Sequence, residues 1–228
     1  MLFDSEGREF RFNTGGALPA FSADNSRLLW VSTRPTVPGE QRAPAVVRVA
    51  GVLGGGTFDL FSAPGANAQW LDDRRVLVTV PGDDRVTTMI VIDAQTGEQY
   101  ELGRWSWVRG TNVGPGGQYV VFYATNQPDP NASGVYAIRT EPGAPAQRLP
   151  FFGSWRWRDS DELYAIPLEP GAAAHALHHV DLNTRVMTPL STAPFKIMNG
   201  DWAVNADRTR VAFRDISTRE LTLLEVGG

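Results

Sequence analysis

The chain's only three histidines lie within five residues, in the segment His175-Ala-Leu-His178-His179. Imidazole is the commonest metal ligand in proteins, so this cluster suggests a metal site. On a β-strand, however, residues 175 and 179 share one face, residue 178 points to the other, and Asp181 adds a single carboxylate beside 179. At most two imidazoles converge, and we therefore predict packed or solvated strand histidines, no metal and no cofactor.

The sequence contains none of the common catalytic motifs. It has no cysteine, no Gly-x-Ser-x-Gly nucleophile elbow, no Gly-Lys-Ser/Thr phosphate loop and no His-Glu-x-x-His pair. Glycoside hydrolysis requires two facing carboxylates, and Asp201, directly before Trp202, is the candidate for one of them. We find no partner carboxylate for it and expect Asp201 to pair with Arg156 or to cap a turn, so no catalytic residue is predicted.

Aromatic side chains, with arginine or lysine beside them, are concentrated in three segments, 105–109, 151–156 and 195–202. Trp and Arg dominate binding hot spots, and flat aromatic rings also stack on sugars. The candidate ligand-binding residues are Trp105, Trp107, Arg109, Phe152, Trp155, Arg156 and Asp201. An alternative interpretation is that the rings pack between neighbouring sheets. It is weaker for Trp105, Trp107 and Phe152, which we expect in connecting loops.

Composition narrows the classes of partner. The 228 residues carry 21 Lys and Arg against 25 Asp and Glu, and no basic stripe is present, so nucleic acid is not an expected partner. No stretch of about 18 apolar residues occurs, and the first residues lack the basic and apolar regions of a signal peptide. We therefore expect no membrane insertion by this chain itself, and a single monomeric domain spanning residues 1–228.

One pattern recurs five times: an aromatic or aliphatic residue, a short polar turn, then an apolar strand. The instances begin 43 to 49 residues apart, at Phe21, Trp70, Val113, Trp157 and Val204. Their turns are rich in Asp, Asn, Gly, Pro and Ser, which favour tight hairpins. A second hairpin lies between successive instances, most clearly in residues 89–102 around the turn Ala-Gln-Thr-Gly. Four strands per repeat, which we call a to d, are typical of a propeller blade.

The two ends of the chain complement each other. Residues 221–226 resemble strand c of the last blade, with no strand d after them, whereas residues 3–12 resemble the end of a strand c, a turn and a strand d, in which residues 8–13 would supply the missing strand. The sequence therefore predicts an all-β, five-bladed antiparallel β-propeller with four strands per blade and almost no helix. The N-terminal strand would complete the last blade, built from residues 200–228 plus 1–13, and closing the ring would remove two open sheet edges. The alternative is an arc cut from a longer propeller.

The turns before strand b resemble those of TolB-like and WD-repeat-like bacterial propellers, whose blades carry a hydrophobic-Ser-Pro-Asp-Gly turn. Phe21-Ser-Ala-Asp-Asn is nearest to that pattern, residues 114–117 keep the Pro and the last Gly, and residues 205–207 keep the Asp. The segment Val-Ile-Asp-Ala-Gln-Thr-Gly-Glu at 91–98 resembles the c-to-d turn of such repeats. The resemblance implies the fold, a rigid binding platform and a periplasmic or extracellular location.

In this fold, the b-to-c and d-to-a connections gather at one face. The b-to-c connections are expected at 32–43, 81–87, 123–134 and 167–175. Loops on a rigid scaffold often carry binding sites, so we predict a non-enzymatic module that recognises a protein, peptide or glycan at this face. The alternatives are a glycan-active hydrolase that uses Asp201 with a loop carboxylate such as Asp83, Asp84 or Glu169, and the sensory or structural ectodomain of a larger membrane-anchored protein.

Overall fold

The computed structural model describes residues 2–3, 9–10, 18–33, 35–39, 42, 44–54, 56–125, 129–168, 175–191 and 197–226. The described chain consists of short antiparallel strands and two single-turn 3₁₀ segments, Pro115–Gly117 and Pro130–Ala132. The strands in chain order are β1 (Leu2–Phe3), β2 (Glu9–Phe10), β3 (Ala20–Phe21), β4 (Arg27–Thr33), β5 (Pro44–Gly51), β6 (Thr57–Pro64), β7 (Asn67–Trp70), β8 (Arg75–Pro81), β9 (Val86–Asp93), β10 (Gln99–Ser106), β11 (Val108–Val113), β12 (Tyr119–Ala124), β13 (Gly134–Arg139), β14 (Gln147–Arg148), β15 (Gly153–Trp157), β16 (Glu162–Pro167), β17 (His178–Asp181), β18 (Met187–Pro189), β19 (Ile197–Val204), β20 (Arg210–Asp215) and β21 (Leu221–Glu225).

The strands pair as the repeat pattern predicts. Four sheets have four strands each, in the orders β3-β4-β5-β6, β7-β8-β9-β10, β11-β12-β13-β14 and β15-β16-β17-β18. Within the described residues, a further sheet has three strands, β19-β20-β21, and β1 pairs with β2. All pairs are antiparallel, so the predicted a-to-b and c-to-d hairpins are confirmed.

Closure of a five-bladed ring remains a prediction. The segment expected to supply the missing strand, residues 8–13, lies outside the described residues except for β2, which pairs with β1. The chain divides into two compact units. The first comprises Met1–Arg109, Thr125–Gln127 and Thr140–Ala144, and the second comprises Gly110–Ala124, Pro128–Arg139 and Pro145–Gly228.

Each unit is held together by sheets that pack face to face. In the first unit, Leu29 and Val47 of the β3–β6 sheet pack with Val76 and Val78 of the β7–β10 sheet. In the second unit, one core joins the β11–β14 and β15–β18 sheets, and another joins the β15–β18 and β19–β21 sheets. Middle strands bury both faces, which explains continuous apolar runs such as Val120-Val121-Phe122.

Three turns share the sequence Asp-x-x-Thr and one hydrogen-bond pattern. In each, the Asp Oδ1 accepts the N–H groups of the second and third residues after it, and these bonds are 2.6–3.0 Å long at Asp93, Asp181 and Asp215. The residue after the Thr is left-handed, as Gly97 at φ 75° and Arg185 at φ 63°. The side chain therefore substitutes for backbone partners, and the sequence encodes the turn locally.

The first a-to-b turn also uses a carboxylate. The Asp24 side chain accepts the Ser22 and Ser26 hydroxyls and the Ser26 N–H, at 2.6, 2.7 and 3.0 Å. These bonds favour the ionised form and lower the pKa of Asp24 from 3.8 to about 2. Hydrogen bonds from Thr184 and from Thr209 likewise lower the pKa values of Asp181 and Asp207, respectively.

We predict that this turn weakens at acidic pH. A carboxyl whose pKa is lower in the folded chain than in the unfolded chain stabilises the fold fully above pH 3.8, and this contribution is lost as pH falls towards 2. Asp24→Asn should therefore flatten the decline of the free energy of unfolding across that range, as measured by urea titrations at several pH values. Glu220→Gln, at an exposed carboxylate with no described side-chain partner, is the control. If stability fell equally with pH in the wild type and in Asp24→Asn, the stabilising role of the ionised Asp24 side chain would be contradicted.

Tryptophans on the first strands of three sheets hydrogen-bond to the first strand of the preceding sheet. Trp70 Nε1 donates to the Ala20 carbonyl at 3.1 Å, Trp157 Nε1 donates to Asn112 Oδ1, and Trp202 Nε1 donates to Ser154 Oγ at 2.8 Å. The residues linked are 45 to 50 positions apart in the sequence, close to the repeat length. The repeat thus places an indole donor at corresponding places within each unit.

Substitutions of Trp202 test how much this link contributes to the stability of the fold. Trp202 is 4 % exposed, and Trp202→Ala should lower the free energy of unfolding by about 3–5 kcal/mol because it leaves a cavity. Trp202→Phe keeps most of the packing and removes the donor to Ser154, so it should cost about 1 kcal/mol. Val186→Ala, at a side chain 56 % exposed, should change stability by less than about 0.5 kcal/mol. Equal urea midpoints for Trp202→Ala and Val186→Ala would contradict the stabilising role of Trp202.

Candidate functional site

The predicted ligand-binding residues fall into two groups, one in each compact unit. Trp105, Trp107 and Arg109 belong to the first unit, and Phe152, Trp155, Arg156 and Asp201 belong to the second. We call the end of a sheet at which its second and third strands are joined its loop end. Antiparallel pairing places the exit of the fourth strand at that same end.

Trp107 forms the junction between two strands at the loop end of the β7–β10 sheet. β10 ends at Ser106 and β11 begins at Val108, so Trp107 alone makes the turn, with a left-handed φ of 48°. Its N–H donates to the Arg85 carbonyl at 2.9 Å, which ties the junction to the b-to-c turn of the same sheet. That turn spans residues 82–85, shorter than the expected 81–87 connection.

Trp105 is not in a loop, contrary to the prediction. It lies in β10 opposite Thr87, and its ring covers Gly103, where a Cβ would come within 2.4 Å of the indole. Gly103 has a φ of 156°, and any side chain there would displace the ring. The indole of Trp105 is half-buried against its own strand, and its role in ligand binding stays a prediction.

Two arginines flank the indole of Trp107. The guanidinium carbon of Arg85 lies 4.5 Å from the ring centroid, and that of Arg109 lies 5.7 Å from it. Both are cation–π distances, and both arginines are exposed. Neither guanidinium has a hydrogen bond or an ion pair with a described residue, so these two cations are not neutralised in the described part of the chain.

Other charges near this junction are paired. Arg42 donates to the carbonyls of Pro81 and Gly82, at 2.7 and 2.8 Å, and lies 3.2 Å from Asp83 Oδ1. Arg104 contacts the Glu101 carboxylate at 2.7 Å, and that contact raises the pKa of Arg104. Asp84 Oδ1 accepts the Val86 N–H at 3.0 Å and so stabilises the turn.

In the second unit, Phe152 is exposed in the connection before β15. It is 48 % exposed and makes an edge-to-face contact with Tyr123, with ring centroids 5.0 Å apart. Burial raises the pKa of Tyr123. Trp155 packs against the core between the β11–β14 and β15–β18 sheets, as the packing interpretation predicts.

Arg156 bridges β15 and β19. Its guanidinium donates to the carbonyls of Trp155, Gly200 and Trp202, at 2.8, 3.3 and 3.1 Å, and stacks on the Trp202 ring at 4.9 Å. Burial lowers the pKa of Arg156. Because carbonyls already accept its hydrogen bonds, the side chain holds two strands together and has little left to offer a ligand.

Asp201 pairs with Arg214, and the expected pair with Arg156 is wrong. Arg214 Nε and Nη2 lie 2.8 and 2.6 Å from Asp201 Oδ2. The reason is strand geometry: Asp201 and Arg214 share one face of the β19–β21 sheet, whereas Arg156 reaches the backbone on the Trp202 side. The pair lies in an open cleft of about 370 Å³, lined by Gly200, Asp201, Trp202, Ala203, Ala212, Phe213, Arg214 and Leu221. Asp201 is the only carboxylate in this lining.

The histidines have separate partners. His175 Nδ1 lies 3.0 Å from the Ile197 carbonyl, and His178 Nδ1 lies 3.1 Å from the Ala176 carbonyl. His179 Nε2 lies 3.4 Å from the Glu162 carboxylate, without hydrogen-bond geometry. Among the residues that the structure describes, no three His, Asp or Glu side chains converge as metal ligands would.

Sequence reasoning missed Arg85, Arg214 and Tyr123. The topology alone could have indicated Arg85, because a b-to-c turn and the end of strand d lie at the same loop end of a sheet. Arg214 sits beside Asp201 through strand register alone, which the sequence pattern did not resolve.

No described helix has the length and apolar character needed to span a membrane. No family model and no curated protein matches the sequence.

Solved structures do match. TolB from Acinetobacter baumannii is 17 % identical with a TM-score of 0.52, and the match covers 91 % of this chain and 51 % of TolB. An oligogalacturonate lyase from Vibrio parahaemolyticus is 11 % identical with a TM-score of 0.61, covering 91 % of this chain and 62 % of the lyase. The β-propeller domain of the Trilobed protease from Pyrococcus furiosus is 10 % identical with a TM-score of 0.63, and the match covers 93 % of this chain and 70 % of that domain's chain.

This chain therefore spans about half the length of TolB and 62 % of that of the lyase. At these identities the likeness concerns the fold alone, and the neighbours include TolB, a lyase and a protease domain. Together with the antiparallel sheets, they show that this chain has a TolB-like β-propeller fold.

Proposed function

We propose that the chain is a non-enzymatic binding module that recognises a protein or peptide through the loop ends of its sheets. The observation that carries this proposal is the Trp107 junction, where two exposed arginines without described acidic partners flank one indole. Arg and Trp are the side chains most enriched in interface hot spots. The junction is built on a turn that hydrogen bonds hold in place, so little ordering is needed on binding.

The exposed edge-to-face pair of Phe152 and Tyr123 supports the same function in the second unit. A half-exposed Phe beside a half-buried Tyr offers an apolar anchor with little side-chain freedom left to lose. The similarity of the fold to TolB and to a protease propeller domain is consistent with a role as a platform.

The glycan-hydrolase alternative has weaker support. Both contacts from Arg214 go to the Asp201 carboxylate, and no second carboxylate lines that cleft. Hydrolysis would need an acid and a base or nucleophile on opposite sides of the sugar. The oligogalacturonate lyase neighbour shares the fold at 11 % identity, which does not transfer its substrate.

A random-peptide display library, selected on the immobilised chain, tests the binding function. We expect selected peptides to lose about tenfold or more affinity with Trp107→Ala or Phe152→Ala. Val186→Ala, at an exposed apolar residue of a c-to-d turn, should bind as the wild type does. Selected peptides whose affinity ignores both loop-end variants would contradict the proposal, as would chromogenic glycoside hydrolysis that disappears in Asp201→Asn.

We also propose that the chain closes as one five-bladed domain, with residues 1–13 completing the blade that contains β19–β21. The four-stranded sheets contrast with this three-stranded one, where Leu221 and Leu223 are 73 % and 63 % exposed. Unpaired strand edges and exposed leucines are usually covered in native β-proteins.

Deleting residues 1–13 should therefore lower the melting temperature by several degrees, about 2–4 °C for each kcal/mol lost. Leu223→Thr should lower the melting temperature of the full chain and have little further effect in the truncated chain. A truncated chain that melts like the full chain would contradict closure.

A further inference from the structure

We propose that the Trp107 junction binds the carboxylate side chains of an acidic peptide, with Arg85 and Arg109 as the two contacting cations. This inference rests on the proposed binding function and specifies the chemistry of its ligand. The two guanidinium groups lie at one loop end, on one aromatic ring, and are exposed.

The hydrogen-bond donors of Arg85 and Arg109 are available to a ligand. A guanidinium carries five N–H donors in one plane. Neither Arg85 nor Arg109 gives these donors to a described residue, in contrast to Arg156, whose donors bond to three carbonyls. Planar donors in pairs match the geometry of a carboxylate, which they bind through two parallel hydrogen bonds.

The charge balance favours an anion at this point. Arg42 and Arg104 have Asp83 and Glu101 beside them, and Asp84 adds a third carboxylate, so the four arginines and three carboxylates near this junction leave a net charge of +1. A ligand carboxylate would meet these cations without displacing an existing ion pair. Such complementarity also raises the rate of encounter and makes binding sensitive to salt.

The spacing suits a peptide in extended conformation. The guanidinium carbons are 4.5 and 5.7 Å from the same centroid, so they are at most roughly 10 Å apart, and side chains at alternate positions of a strand are about 7 Å apart on one face. Two acidic residues separated by one residue can therefore reach both arginines. A glycan is less well matched, because arginines already cover the indole that would stack on a sugar ring.

The turn presents the arginines in a fixed geometry. Trp107 N–H binds the Arg85 carbonyl, Gly82 N–H binds the Val86 carbonyl at 2.7 Å, and Arg42 bonds to the carbonyls of Pro81 and Gly82. Arg85 and Trp107 are both left-handed, at φ 67° and 48°. Non-glycine residues adopt this conformation at a cost, which indicates that the surrounding bonds fix the backbone here.

Fluorescence anisotropy with a labelled peptide tests the proposal. The probe alternates Glu with Thr, and its matched control replaces each Glu by Gln. We expect the Glu peptide to bind at least about tenfold more tightly than the Gln peptide at low salt, with the difference shrinking as salt is added. The Arg85→Glu/Arg109→Glu double variant should abolish this preference, and Arg109→Glu alone should weaken it.

Arg185→Glu is a matched control variant. It makes the same charge change as Arg109→Glu alone, at an exposed arginine that is left-handed as Arg85 is, at φ 63° against 67°, but it lies in a c-to-d turn. It should keep the preference for the Glu peptide. Arg85→Lys keeps the charge but loses the planar donor pair, and it should bind with intermediate affinity.

Three outcomes would overturn the inference: equal binding of the Glu and Gln peptides, an equal loss in Arg185→Glu and the double variant, or arginine-dependent binding of an oligogalacturonate without binding of the Glu peptide. The proposed function fails in a different way. If the display selections yield Trp107-dependent peptides that are not acidic, the binding function stands and the carboxylate assignment fails. If no selected peptide depends on the loop-end variants, the binding function itself fails.

Discussion

A β-sheet whose middle strands are apolar on both faces must be covered on both faces before it is stable in water. Val120, Val121 and Phe122 of β12 are each 0 % exposed although their side chains alternate between the faces, and Leu163 and Tyr164 of β16 behave in the same way. The sheets therefore pack face to face within each unit, and their middle strands are occupied by the core. Exposed side chains accordingly lie mainly at the strand ends, in the connections and on the outer strands of each sheet.

The two ends of a sheet differ chemically. At the a-to-b and c-to-d turns, aspartates accept backbone N–H groups, as Asp93 does from Gln95 and Thr96. A carboxylate bonded in this way stabilises its own turn and has less capacity for an external partner. At the loop end of the β7–β10 sheet, arginines predominate, and two of them have no described acidic partner. Acidic side chains thus stabilise the tight turns, whereas at this loop end two arginines are exposed beside Asp83 and Asp84.

Local chemistry explains which predictions were confirmed. The Asp-Ala-Gln-Thr turn at 93–96 and the hairpins around it depend on residues next to one another in the sequence, so the pattern was sufficient. Nothing in the local sequence around Trp105 marks where a strand ends, so the loop prediction for Trp105 is wrong. In the structure β10 continues to Ser106. The Asp201–Arg214 pair depends on strand register and on which face each residue takes. A bulge in β19 between Ile197 and Trp202 alters that register, so the simple alternation of strand residues between the two faces could not predict the pair.

Two arginines show why residue type alone could not define the site. Arg156 and Arg85 both make cation–π contacts with tryptophan, at 4.9 and 4.5 Å, but the sequence singled out only Arg156 as a candidate. Arg156 lies on a first strand, where three carbonyls accept its donors and burial lowers its pKa. Arg85 lies in a turn, exposed and with its donors unengaged by described residues. The same type of cation–π contact therefore involves a guanidinium bound by carbonyls in one case and a guanidinium exposed to solvent in the other.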